Sequence, residues 1–255
     1  MAGHSKWANI KHKKKKEDKR RAKLFSKLSR RIAVAAREGG GDPEMNSDLS
    51  MAIQKAKDNN MPKDNIERAI KRGTGDLEGV DYENFVYEGY GPGGVALYLD
   101  IMSDNRNRTA SELRHLLSDK GGNLGQAGCV AWMFEKRGKI VVELEKNNLD
   151  EDTMMLTAIE CGADDVFSSD QIATIHTEPG DLQLVRDNLE EEGIEVESAD
   201  LAMIPKNEVK VKDKKTAQKT LDLMDDLEDH DDIQDVYANF DIPDEIMEEL
   251  EKEAG

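Results

Sequence analysis

The spacing of the apolar residues changes once in the first hundred residues, and this change constrains the fold more than any other feature. Between residues 17 and 73 the apolar residues recur at the three- and four-residue intervals of amphipathic helices. Between residues 82 and 100 the runs YENFVYEGY and VALYLDIM are rich in strand-forming residues, and GPGG joins them as a hairpin. Helices followed by mixed elements predict an α+β fold.

Three short helices are predicted before residue 78. The first spans residues 17–38 and ends at three glycines, and the second begins near Ser47 as its N-cap. The third follows the break NNMP and is closed by Gly73 and Gly75. Packed together they form a small bundle. The residues predicted to face its interior are Leu24, Phe25, Leu28, Ile32, Ala35, Ala36, Leu49, Ala52, Ile53, Ala56, Ile66, Ala69 and Ile70.

The rest of the chain is predicted to form two α+β domains. After the hairpin come a helix at 107–120 and a strand at 129–134. Residues 139–204 show the order β-α-β-β-α-β of a ferredoxin-like unit, with its last strand starting at Ile194. A helix at 216–228 and the strand IQDVYANF lack a sheet of their own, so we expect them to pair with the 82–134 segment. The predicted domains are residues 1–78, a discontinuous domain of residues 79–134 plus 206–255, and an inserted ferredoxin-like domain of residues 135–205.

Positive charge is concentrated at the start of the chain. The first 37 residues contain 14 Lys or Arg against two acids, whereas the whole chain carries −18, so the other 218 residues carry −30. At the helical angle of about 100° per residue, most cations of the first helix lie opposite its apolar arc. This stripe consists of Lys16, Lys19, Arg20, Lys23, Lys27, Arg30, Arg31 and Arg37.

This charge distribution predicts nucleic acid as the partner, the simpler alternative being a solvated helix face. Trp7 either stacks on an unpaired base or packs on the bundle. RNA is favoured over DNA, because the pattern indicates no helix-turn-helix with base-reading side chains. The predicted contacts in this stretch are His4, Lys6, Trp7, Lys11, His12, Lys13, Lys14, Lys16, Lys19, Arg20, Lys23, Lys27, Arg30 and Arg31.

A second group of cations lies at the junction between a strand and the helix at 107–120. Arg106 and Arg108 stand there beside two asparagines, where they could bind phosphate at a helix N-terminus. The alternative is an ordinary capped helix start whose arginines pair with the acidic body. The sequence leaves both interpretations open.

Other kinds of site are not indicated. The five histidines show no metal-ligand spacing with each other or with the cysteines, and no nucleophile–base arrangement has local support. The glycine-rich run at 89–94 lacks the Lys-Ser/Thr of a P-loop, so it predicts a structural hairpin. We therefore expect no enzyme activity, no metal, no cofactor and no small-molecule substrate.

The chain is expected to be a cytoplasmic monomer without a membrane partner. No stretch approaches the ~20 apolar residues of a membrane span, and the N-terminus lacks the apolar core of a signal peptide. Cys129 and Cys161 lie far apart in apolar contexts, which indicates buried thiols in a reducing compartment.

Several long motifs carry a resemblance to a known family. The opening MAGHSKWANIKHKK resembles the start of the YebC/PmpR family, which includes the mitochondrial translational activator of cytochrome c oxidase subunit I. GGGDP, NNMPKD, YEGYGPGGVA, SDNRNRTASELRH, GGNLG and VYANFDIP are further matches, so the resemblance covers nearly the whole chain. The unbroken Lys13–Lys16 run is more basic than the family's usual pattern, which favours electrostatic rather than sequence-specific recognition.

The resemblance implies three domains, with a helical N-terminal domain and a discontinuous middle domain. It also implies one of two functions. The first is a translation factor that docks its basic domain on ribosomal RNA and supports the synthesis of difficult, for example proline-rich, sequences. The alternative is a DNA-binding transcriptional regulator. By this resemblance the loop residues Asn59, Asn60, Met61 and Lys63 join the expected nucleic-acid contacts.

Overall fold

The structure is a computed structural model that describes the backbone of residues 18–169 and 171–254 and the side chains of residues 21–169 and 171–250. Its described part divides into two compact units. The first unit comprises residues 18–132 and 213–238, and the second comprises residues 133–212 and 239–254. None of the described helices is long and apolar enough to cross a membrane.

The first unit begins with the predicted three-helix bundle. Its helices are α1 (Asp18–Gly39), α2 (Ser47–Asp58) and α3 (Lys63–Gly73). The predicted interior is confirmed, because every residue expected to face inward lies in the apolar cluster of this bundle or packs against it. Met61 joins the same cluster, with 5% of its surface exposed.

The N-cap predicted for α2 was wrong by one residue. Asn46, rather than Ser47, caps the helix, and its side-chain oxygen accepts a hydrogen bond from the Leu49 amide at 3.1 Å. The amide nitrogen of the same side chain donates to the carbonyls of Ala35 and Gly40, each at 2.8 Å. One buried amide therefore satisfies backbone groups at the end of α1 and at the start of α2.

The first unit continues with an antiparallel sheet covered on one face by two helices. Its strands are β1 (Glu83–Tyr90), β2 (Ala96–Ser103), β3 (Asn123–Leu124) and β9 (Ile233–Ala238), and its helices are α4 (Arg106–Lys120) and α8 (Lys214–Glu228). The strand order is β3-β1-β2-β9. The expected pairing of the late helix and strand with the 82–134 segment is confirmed, because β9 pairs with β2 and α8 packs against α4.

The strand predicted at 129–134 was wrong. A 3₁₀ turn (Ala131–Met133) occupies half of this segment, and the next strand starts at Phe134. The amides of Gly128, Val130 and Ala131 donate to the buried carboxylate of Glu88 at 2.6, 2.7 and 2.7 Å. These amides are satisfied by a side chain, so they do not enter a strand ladder.

The second unit contains the predicted ferredoxin-like arrangement. Its main elements are β4 (Phe134–Glu143), α6 (Glu151–Glu160), β5 (Asp165–Ser169), β6 (Ile172–Thr177), α7 (Leu182–Glu191) and β7 (Ser198–Pro205), with a single-turn helix α5 (Leu144–Asn147) after β4. The order β5-β6-β4-β7, all antiparallel, is that of two interleaved β-α-β units.

The last strand of this arrangement begins later than the sequence predicted. The amide of Ile194 donates to the carbonyl of Leu189 at 2.9 Å, which closes the turn after α7. The side chain of Ile194 is buried in the core of the unit. Ile194 therefore belongs to the turn after α7, and β7 starts at Ser198.

The end of the chain belongs to the second unit. It contributes β10 (Phe240–Asp241), which pairs in parallel with β8 (Val209–Lys210), and α9 (Asp244–Ala254). Phe240, Ile242 and Met247 are buried. The predicted domain limits at residues 78, 134 and 205 stay a prediction.

Candidate nucleic-acid interface

The predicted cationic contacts fall into two groups. His4, Lys6, Trp7, Lys11, His12, Lys13, Lys14 and Lys16 lie outside the described residues. Lys19 and Arg20 lie within α1, and their side chains are outside the described part. The remaining four, which we call the α1 stripe, are Lys23, Lys27, Arg30 and Arg31. All four contact the acidic body of the first unit.

The N-terminal half of the α1 stripe contacts an acidic segment, residues 228–235, that contains five carboxylates. The Lys23 ammonium lies 3.9 Å from the carboxylate of Asp229 and 3.8 Å from that of Asp231. It also donates to the backbone carbonyl of Asp229. The Lys27 ammonium donates to the carbonyl of Glu228 at 2.7 Å. These carbonyls lie at the C-terminus of α8, where unpaired carbonyls and the helix dipole attract cations.

Arg30 continues these contacts into a partly buried position. Its guanidinium donates to the carbonyl of Asp231 at 2.7 Å and lies 3.3 Å from the carboxylate of Asp232. It also stacks over the ring of Tyr82, with 4.9 Å between its central carbon and the ring centroid.

Arg31 is held by two carboxylates that project from neighbouring strands of the sheet. It lies 2.5 Å from Asp235 on β9 and 3.5 Å from Asp100 on β2, which are paired in register. The charge of Asp235 is the main cause of a raised pKa for the Arg31 guanidinium, and burial opposes it. Arg31 therefore links α1 to strands β2 and β9 of the sheet.

Asp232 is the most densely bonded carboxylate of this interface. It accepts hydrogen bonds from Thr109 at 2.7 Å, Arg108 at 2.9 Å and Ser103 at 3.0 Å, besides its contact with Arg30. Burial disfavours its charged form, but the bonds from Arg108, Thr109 and Ser103 outweigh burial and hold the pKa of Asp232 below its usual value. The charged carboxylate is thus the stable state here.

The two arginines of the predicted secondary phosphate contact bind carboxylates of the same chain. Arg106 lies 2.7 Å from Glu83 and stacks over Phe85 at 4.3 Å, and Arg108 bonds to Asp232. Asn105 caps α4 by accepting from the Arg108 amide at 3.1 Å. This geometry matches the second interpretation of the sequence, a capped helix start whose arginines pair with the acidic body. A phosphate at this position would have to displace those carboxylates.

The four contacts predicted around the loop between α2 and α3 differ in their exposure; three lie in the loop, and Lys63 is the first residue of α3. Asn59 donates to the carbonyl of Lys55 at 2.8 Å, and Met61 is buried in the bundle. Asn60 is exposed with a left-handed φ of 58°, and the side chain of Lys63 is 87% exposed at 3.6 Å from Glu67. Asn60 and Lys63 are therefore accessible to a ligand, whereas Asn59 and Met61 stabilise the bundle.

One cluster of metal-ligand types lies beside the interface, where Glu112, His230 and Asp232 bring oxygen and nitrogen atoms within 4.8 Å of one another. The two ring nitrogens of His230 are already engaged, Nε2 by Glu112 at 3.1 Å and Nδ1 by the Asp232 amide at 3.2 Å. Two guanidiniums also bond to Asp232 and would repel a cation. The cluster fits hydrogen bonding better than metal binding.

Sequence reasoning missed the acidic partners of the α1 stripe. The spacing of the cations on α1 predicted a basic face, but no pattern in the sequence assigned a role to the acids at 228–235. The signal that could have found them was the strand IQDVYANF, since pairing it with β2 brings Asp235 beside Asp100 on one face of the sheet.

Comparisons with known proteins give a consistent result over nearly the whole chain. Residues 5–76 match the family model described as the TACO1/YebC protein N-terminal domain, and residues 82–240 match the model described as the TACO1/YebC second and third domain. A protein of Halothermothrix orenii named "Probable transcriptional regulatory protein" is 70% identical over 253 residues, which cover 99% of this chain and 100% of the relative. A protein of the same name from Natranaerobius thermophilus is 59% identical over 249 residues, covering 97% of this chain and 99% of the relative.

A solved structure shares the fold. The crystal structure of a conserved hypothetical protein from Aquifex aeolicus matches with a TM-score of 0.83 and 48% sequence identity. The match covers 90% of this chain and 94% of that chain.

Proposed function

The chain belongs to the TACO1/YebC family, and from that premise we propose that it is a non-enzymatic regulatory factor that binds nucleic acid through its basic N-terminal segment. The partner we propose is ribosomal RNA. On the ribosome the protein supports the translation of difficult sequences, such as proline-rich ones.

The distribution of positive charge is the observation that carries this proposal. We call residues 1–20 the basic arm; it contains eight Lys or Arg against Glu17 and Asp18. The four cations of the α1 stripe are engaged by acids and carbonyls of the chain. The charge that phosphates can reach first therefore lies in the basic arm. The acidic remainder of the chain repels polyanions and favours an approach by the arm.

DNA is the second candidate, because the relatives named above are called probable transcriptional regulatory proteins. The α2–α3 pair, joined by four residues, would be the part to dock in a major groove. A recognition helix reads bases with its N-terminal residues, and here the first two turns of α3 expose the carboxylates of Asp64 and Glu67 beside Lys63. Carboxylates at this end repel the flanking phosphates of a duplex, which disfavours the docking of α3 on a DNA operator.

The proposal is tested with ribosomes and DNA in parallel. The protein is sedimented with purified ribosomes at increasing salt, and the same preparation is used in gel shifts on promoter DNA and on its scramble. We expect salt-sensitive association with ribosomes and equal affinity for the two DNAs. Tight binding to the promoter over its scramble would instead favour the transcriptional candidate and reject the ribosomal one.

A charge-matched pair of variants assigns the binding to the basic arm. The arm variant replaces Lys13, Lys14, Lys15 and Lys16 with Ala. The control replaces the exposed Lys206, Lys212, Lys215 and Lys219 with Ala. We expect the arm variant alone to lose ribosome binding and to flatten the dependence of log K on log salt by up to about 3–4 units, one for each lost phosphate contact. Equal losses in both variants would show that the arm has no special role.

A further inference from the structure

The contacts between the α1 stripe and the acidic segment resemble those that a phosphate backbone would make. Four cations on α1 meet carboxylates and carbonyls along residues 228–235. The carbonyls at the end of α8 add the negative end of a helix dipole to the charge of the carboxylates. A nucleic acid that reached α1 would compete for the same ammonium and guanidinium groups.

The contacts between the α1 stripe and the acidic segment differ in their exposure to solvent, from exposed at Lys23 to partly buried at Arg31. The carboxylates of Asp229 and Asp231 are 68% and 69% exposed, and the Lys23 side chain that they contact is 37% exposed. Exposed ion pairs contribute little to stability, so phosphates can replace these carboxylates at small cost. At the other end, Arg31 is 24% exposed and bonds to two carboxylates on the sheet. The inner contact therefore holds α1 in place while the outer contact can exchange.

The outer contact directly follows the basic arm along the helix. Lys19, Lys23 and Lys27 are spaced four residues apart, so they lie on one face of α1 at intervals of about 6 Å. A phosphate backbone that is bound at the arm and continues along α1 meets Lys23 next. The first carboxylates that this phosphate backbone would displace are those of Asp229 and Asp231.

We infer that the acidic segment competes with the nucleic acid for the α1 stripe. It makes an autoinhibitory contact that covers Lys23 and Lys27 until phosphates displace Asp229 and Asp231. This inference rests on the proposed function, because it concerns the same basic surface. On this inference the basic arm makes the first contact with the nucleic acid. Lys23 and Lys27 contact its phosphates only after the acids have been displaced.

The competition is measured by neutralising the outer acids. The double variant Asp229→Asn with Asp231→Asn keeps the side-chain shapes and removes two charges. Its control, Glu191→Gln with Glu192→Gln, removes two exposed charges at the end of α7 in the second unit. Binding is measured by anisotropy with a short fluorescein-labelled RNA hairpin of mixed sequence.

We expect the Asp229/Asp231 variant to bind the hairpin about threefold to tenfold more tightly than the control variant, since two exposed pairs no longer compete. Equal affinities would overturn the inference and leave the proposed function standing. If the unmodified chain and both variants fail to bind the hairpin and ribosomes even at low salt, the proposed function itself is rejected.

A second measurement observes the contact directly. A carbodiimide joins an ammonium to a carboxylate only when the two are in contact, so it should crosslink Lys23 to Asp229 or Asp231 in the free protein. Mass spectrometry locates the crosslink, which the Asp229/Asp231 variant cannot form. Saturating hairpin should suppress the crosslink. A crosslink yield that is unchanged while the hairpin is bound would show that the acids stay in place, and would overturn the inference.

Discussion

At the scale of single residues, His176 shows how burial fixes a charge state. It lies on β6 with 9% of its surface exposed, and its ring packs against Phe167 with 5.3 Å between ring centroids. The pKa of His176 is lowered to about 4, mainly by burial and also by the nearby charge of Lys139, while the charge of Asp165 opposes these effects. The imidazole is therefore neutral at pH 7 and stabilises the core of the second unit.

This depressed pKa predicts a loss of stability on acidification. The unfolded chain binds a proton near pH 6.5, whereas the folded chain does so only near pH 4. The stability contributed by neutral His176 is complete above pH 6.5 and is lost as the pH falls towards 4. Between pH 7 and pH 5 we expect a loss of about 2 kcal/mol in the free energy of unfolding, measured with urea.

The variant His176→Phe keeps an aromatic ring and removes the titration. Its free energy of unfolding should fall by about 2 kcal/mol less than that of the unmodified chain between the same two pH values. Replacement of the exposed His115 with Gln is the control and should leave the pH dependence intact. A pH dependence in His176→Phe equal to that of the unmodified chain would contradict the assignment.

At the scale of elements, the close approach of α3 to α1 depends on Gly73. A Cβ atom at this position would lie 2.3 Å from the carbonyl oxygen of Ala33 and 2.8 Å from the Cβ of Ala36. The contact is with the backbone of α1, so neither helix can relieve it by rotating a side chain. The helices would have to move apart.

We therefore expect Gly73→Ala to destabilise the bundle by about 1–3 kcal/mol in urea unfolding, although Ala normally favours helix over Gly. The matched control is Gly79→Ala, whose new Cβ would lie 3.6 Å from the nearest atom, in ordinary contact with Arg72. The control should change the free energy of unfolding by less than about 1 kcal/mol. A neutral or stabilising Gly73→Ala would mean that the two helices are not closely packed.

The sequence predicted the interior of this bundle because helical spacing is a local property. Leu28, Ile32 and Leu49 needed no knowledge of distant residues to be placed inward. The position of the Asn46 cap was missed by one residue, since Ser47 is an equally good local candidate. The error in predicting a strand at 129–134 has a different cause. The backbone amides of this segment donate to the carboxylate of Glu88, which lies about 40 residues earlier in the chain.

The candidate site was predictable only in part for the same reason. The cations of α1 are adjacent in sequence, so their stripe could be located. Their partners in the acidic segment lie 201 to 208 residues away along the chain, and nothing local connects Lys23 with Asp229. The sequence therefore predicted the charged surface and missed that every cation of the predicted stripe whose side chain is described already contacts acids or carbonyls of the chain.

At the scale of the whole molecule, each compact unit is assembled from two separate pieces of chain. The second unit takes residues 133–212 and adds the tail from residue 239, which contributes β10 beside β8. Phe240, in this strand, is fully buried. Phe240 and β10 therefore stabilise an insertion that begins more than 100 residues earlier in the chain.

This assembly predicts that the two units unfold separately. Phe240→Ala should destabilise the second unit by about 3–5 kcal/mol, since it deletes a fully buried aromatic ring. Hydrogen exchange read by mass spectrometry should show amides of β4 and β6 losing protection while those of β1 and β2 keep it. The reciprocal variant is Leu99→Ala, in the core of the first unit, which should reverse the pattern. Loss of protection in both sheets in either variant would mean that the chain unfolds as one cooperative body, since damage to one unit would then be transmitted to the other.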